Sequence, residues 1–127
     1  GAVPLEDERL AQGEQARRFE HDLATGAVTM TMDWGKGAVR FADSGLLFDF
    51  RGVVTNTVNE HDPLAARIAS RMTQRHGRGD WNVRTEIETE LSCTLEAFRL
   101  TATVAAWEGD ERVFERHWDR TIPRPHL

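Results

Sequence analysis

Apolar and polar residues alternate along most of this chain, so its dominant period is two and the predicted elements are β-strands. The clearest case is WNVRTEIETELSC. It sets Trp81, Val83, Thr85, Ile87, Thr89, Leu91 and Cys93 on one side and Arg84, Glu86, Glu88 and Glu90 on the other. That is the pattern of a half-buried antiparallel strand. Pairing it with FRLTATVAAW across the loop Thr94–Ala97 sets Cys93 opposite Phe98, Leu91 opposite Leu100 and Ile87 opposite Val104. A slip of one residue would turn one strand's apolar set outward, so this register is the specific one. On the outer face the same register sets Arg84 opposite Trp107, a cation–π pair.

The next turn, Gly109-Asp110-Glu111, predicts a three-residue hairpin that pairs Glu108 with Arg112. Phe114 then meets Ala106, Trp118 meets Ala102 and Ile122 meets Phe98, large against small. Arg116 and Arg120 fall on the same side as these aromatics. A buried guanidinium must find a carboxylate, run its stem out to water or face another polypeptide. Arg116, Arg120, Trp107 and Arg84 are therefore the candidate interface residues, with snorkelling to water as the plainer role for the first two.

The first half reads less sharply. RRFEHDLA and AVTMTMDW flank a turn at Thr25-Gly26, with Val28, Met30, Met32 and Trp34 on one face. GAVRFA and LLFDFRGVV are strand pieces split by Asp43-Ser44-Gly45. Asp62 before Pro63 can cap one short helical turn in an otherwise ambiguous stretch. The expected fold is all-β: an antiparallel, jelly-roll-like β-sandwich over residues 17–127 that ends in a three-stranded meander, after a polar lead-in over residues 1–16. The lead-in and the missing initiator methionine create the expectation of a piece of a longer chain.

Composition narrows the function classes. The 127 residues suit one domain, and the net charge of −5 gives no basic footprint for nucleic acid or an anionic membrane. No apolar run is long enough for a transmembrane helix. One cysteine excludes an internal disulfide and agrees with a cytoplasmic location. Catalytic patterns do not emerge. Ser44, Ser70 and Ser92 lie outside any G-x-S-x-G elbow, and the five histidines lack H-E-x-x-H spacing. No catalytic residue, metal or cofactor is therefore assigned. Arg78-Gly79-Asp80 is simplest as a turn before Trp81. The row Glu86, Glu88, Glu90 is simplest as a solvated face, and Met30 and Met32 as core filling.

Residues 79–124 resemble the C-terminal end of the CocE/NonD group of α/β-hydrolases, relatives of Xaa-Pro dipeptidyl-peptidases and cocaine esterase. The resemblance rests on the GDWNV entry, the alternating Arg/Glu strand, the FRLTATVAAWEG hairpin and the closing WDRTIPR. DPLAARIASRMTQ resembles the segment that precedes this run there. It implies a non-catalytic jelly-roll accessory domain whose partner is an α/β-hydrolase catalytic domain in the same full-length chain, with the catalytic triad outside these residues. Such jelly rolls are commonly longer than this chain, so open edges or an uncovered face would be satisfied by a second copy, a homodimer. The competing reading is a freestanding β-sandwich that binds a small apolar ligand between its sheets, lined by Met30, Met32 and Trp34.

Overall fold

A computed structural model describes residues 6–13 and 15–125. Residues 1–5 of the expected lead-in, and His126 and Leu127, lie outside the described residues. Eight strands form one antiparallel sheet: β1 (Glu8–Arg9), β2 (Gln15–His21), β3 (Ala27–Arg40), β4 (Leu47–Asn59), β5 (Arg67–Arg78), β6 (Trp81–Cys93), β7 (Ala97–Glu108) and β8 (Glu111–Pro123). From β3 to β8 the strands pair in sequence order. β1 and β2 lie end to end along the outer edge of β3, so the expected lead-in contributes strand residues at both places. The only helical element among the described residues is one 3-10 turn, Pro63–Ala65. As Asp62-Pro63 predicts, the Asp62 carboxylate accepts from the Leu64 N–H at 3.0 Å.

The all-antiparallel class, the terminal meander and the short helical turn agree with the sequence. The layering differs. The described strands do not divide into two facing sheets, and each strand packs only against its neighbours in the sheet and, for β4 and β6, the 3-10 turn. Alternation marks which face is apolar; it does not supply the layer that covers that face. The sandwich is thus corrected to a single layer, and a ligand cannot lie between two sheets of the described residues.

Turn chemistry explains the connections. Gly79 and Gly109 each take φ of 58° ahead of an Asp in two-residue hairpins, as a turn with glycine first requires. The β7–β8 connection is therefore shorter than expected: Glu108 pairs with Glu111 and Trp107 with Arg112. A bulge at Val113 then restores Phe114 to Ala106. The β2–β3 and β3–β4 loops share one design. In each a left-handed glycine donates to the carbonyl four residues back, Gly26 to Asp22 and Gly45 to Phe41, both at 2.8 Å. Asp22 also accepts from the N–H groups of Ala24 and Thr25, so this turn begins earlier than Thr25-Gly26. Those N–H groups hold its carboxyl below the usual value.

Candidate interaction surface

The registers divide the side chains into two faces of opposite chemistry. Because paired residues in an antiparallel ladder share a side, one face carries Phe19, Val28, Met30, Met32, Trp34, Phe48, Phe50 and Val54 from β2 to β4. It continues through Ile68 and Met72 to Val83, Ile87, Leu91, Phe98, Leu100 and Val104, and ends on β8 with Phe114, Trp118 and Ile122. All the apolar pairs read from the terminal meander form as expected.

No second layer of the described residues covers this face. Phe50, 7% exposed, is the only buried hydrophobic side chain among the described residues, whereas Phe19 is 67% and Phe114 and Ile122 are each 48% exposed. A compact monomer of 14.4 kDa should expose about 6,800 Å². This chain exposes 9704 Å².

Phe50 escapes exposure because of its glycine neighbours. Its cross-strand partner is Gly37, and Trp34 leans to within 4.9 Å of its ring across Gly52. A bulge between Gly35 and Gly37 bends β3 there, and the chain crosses on the apolar side through residues 11–13, close against Gly37. The neighbouring depression, about 460 Å³, is lined by Gln15, Ala16, Arg17, Met32, Asp33, Trp34 and Val54 and is open to solvent.

The opposite face is polar and internally paired. Arg71 meets Glu88 and Arg67 meets Glu90, each at 2.7 Å, so arginines of β5 neutralise much of the acidic row of β6. Arg99 grips Asp119 through two hydrogen bonds of 3.1 and 2.7 Å, which hold the Asp119 carboxyl below its ordinary 3.8. These are exposed pairs and contribute little each.

The four candidate interface residues separate into two pairs on opposite faces. Arg84 and Trp107 lie on the polar face in the register read from sequence, with the Arg84 guanidinium 4.3 Å from the Trp107 ring centre. Arg112, directly opposite Trp107 on β8, flanks the same ring at 5.7 Å. The buried Arg84 Nε lies 3.4 Å from the Glu86 carboxylate without the alignment of a hydrogen bond.

Arg116 and Arg120 lie on the apolar face, opposite Val104 and Leu100. The Arg116 guanidinium sits 4.8 Å from the Trp118 ring, and Arg120 donates to the Asp119 carbonyl at 3.3 Å. Neither is paired with a carboxylate among the described residues.

Sequence reasoning missed how far the apolar face extends. Phe48, Phe50, Val54, Ile68 and Met72 join the meander's face through the β3–β4–β5 registers. The alternation within LFDFRGVV was the available signal. No group of three or more His, Cys, Asp or Glu side chains gathers in metal-binding range among the described residues, and no helix there is long and apolar enough to cross a membrane. No protein-family model, characterised relative or solved structure matches this chain.

Proposed function

We propose that this chain is a non-catalytic accessory layer that docks through its apolar face onto another folded part of a CocE/NonD-type serine hydrolase. There it contributes stability, assembly or a wall of the substrate cleft. The observation that carries the reading is the uncovered apolar face, continuous from β2 to β8. Burial of apolar surface contributes roughly 25 cal/mol per Å², so a face of this size strongly favours a covered state. Exposed patches beyond a few hundred Å² mark interaction sites. The resemblance of residues 79–124 to the C-terminal end of those hydrolases supplies the identity of the partner.

Two observations test it together. The polypeptide that carries this chain should also carry a G-x-S-x-G elbow in an α/β-hydrolase domain. These 127 residues alone should release no p-nitrophenol from p-nitrophenyl esters above the buffer rate. Turnover that a serine-directed inhibitor abolishes would overturn the non-catalytic role, and a complete reading frame without a hydrolase domain would overturn the partner.

A further inference from the structure

We propose that the occupant of the apolar face is a polypeptide layer that presents carboxylates to Arg116 and Arg120, and is not a second copy of this chain. The inference rests on the docking role proposed above and adds the chemistry of the surface that docks.

Size argues for a polypeptide. Seven strand positions at about 4.8 Å spacing, with strands up to about 40 Å long, make a face on the order of 1,300 Å². That exceeds the roughly 800 Å² per partner of a standard protein interface and far exceeds what a small ligand covers.

Charge selects among polypeptides. Among the described residues, the cationic and histidine side chains of the apolar face between the hairpin tips are Arg9, Arg17, His21, His76, Arg116 and Arg120; its carboxylates stand at the tips, Glu60 at 2.9 Å from His21 and Glu108 and Glu111 at the β7–β8 turn. The carboxylates of β6 and β8 between those tips, Glu86, Glu88, Glu90, Glu115 and Asp119, all point to the other face. A two-fold pairing of identical faces with aligned strands has two forms. With the axis across the strands, β8 lies over β8 and Arg116 and Arg120 meet their own copies. With the axis along the strands, β8 lies over β2 and its arginines meet Arg17. Both bury like charges, which opposes assembly. A layer with an apolar centre and carboxylates above β8 satisfies both features of the face at once.

A charge-reversed copy of this chain serves as the probe. In Arg116→Glu/Arg120→Glu the apolar face is retained and its β8 margin becomes acidic. Sedimentation equilibrium of wild type, variant and their equimolar mixture should show a mixed dimer at least about tenfold tighter than either homodimer, weakening as salt rises. Wild type that forms the tightest dimer alone would show that the occupant is a second copy, and a mixture no tighter than its components would remove the charge argument. Either result overturns this inference and leaves the reading-frame test of the docking role standing. Circular dichroism checks that the variant keeps its sheet. If it does not, Arg116→Gln/Arg120→Gln replaces it and should self-associate more tightly than wild type; unchanged association overturns the inference equally.

Discussion

Phe50→Ala should lower the unfolding free energy by about 3 kcal/mol, the lower end of the range for truncating a buried phenylalanine. Phe50 is the one hydrophobic side chain that the described residues bury, and it does so in a sheet with a single layer. Its ring fills the space left by Gly52 and supports the tilted Trp34 indole at 4.9 Å. Removing it opens a gap that the single-layer sheet cannot close, because the backbones beside it are held in ladder register. Urea unfolding followed by tryptophan fluorescence measures the loss. Phe114→Ala is the comparison: Phe114 is 48% exposed, and its truncation should cost less than about 1 kcal/mol in the isolated chain. Equal costs at the two positions would mean that the apolar face is covered along its whole width.

Gly37→Ala should cost about 3 kcal/mol, from two separable causes. Gly37 has φ of 74°, which a residue with a Cβ adopts at a cost of roughly 1–3 kcal/mol. An added Cβ would also lie only 2.5 Å from the Gly13 nitrogen and 2.8 Å from the Gln12 carbonyl carbon, both backbone atoms with no rotamer to yield. Gly45 isolates the first cause, because it has φ of 68° with nothing within 4 Å of an added Cβ. Gly45→Ala should therefore cost only about 1 kcal/mol. If the two substitutions prove equally mild under chemical denaturation, the crossing of residues 11–13 against β3 does not hold the bulge.

Particular residues explain which parts of this architecture were legible. From β6 to β8 the register followed from side-chain chemistry, because Glu86, Glu88 and Glu90 can face only water while Ile87, Val104 and Trp118 need cover. The bulge at Val113 was hidden. One extra residue beside a turn leaves the alternation of Phe114, Trp118 and Ile122 intact, so two-residue and three-residue turns leave nearly the same pattern. β5 was obscure because RIASRMTQRHGR spaces Ile68 and Met72 as a helix could; pairing on both sides with β4 and β6 settles it as a strand. β1 gave no signal at all, since Glu8 and Arg9 carry no apolar alternation and are held by ladder bonds at an edge and by the Glu8–Arg40 pair at 3.1 Å.

Arg116 and Arg120 were correctly placed beside the aromatics. Their pairing was beyond sequence, because periodicity names the face on which a residue stands and is silent about what opposes that face. The same silence produced the expectation of two layers: the alternation is identical whether the covering sheet belongs to the same segment or to another one. Arg84 and Trp107 lie on the outer face as the register predicts; Arg112 joins them because the hairpin has two residues where three were expected, which sets Arg112 opposite Trp107.

Thiol reactivity at paired positions on the two faces probes the uncovered layer most directly. In a Cys93→Ser background, single cysteines at Ile87 and Val104 report the apolar face, and those at Glu88 and Thr103 report the polar face of the same two strands. In dilute, monomeric protein all four should react with a maleimide within roughly tenfold of one another, since access governs the rate. On binding the charge-reversed copy, only Ile87→Cys and Val104→Cys should become protected. Protection of those two by about a hundredfold already in the monomer would contradict the single-layer account, because the chain would then close its own core.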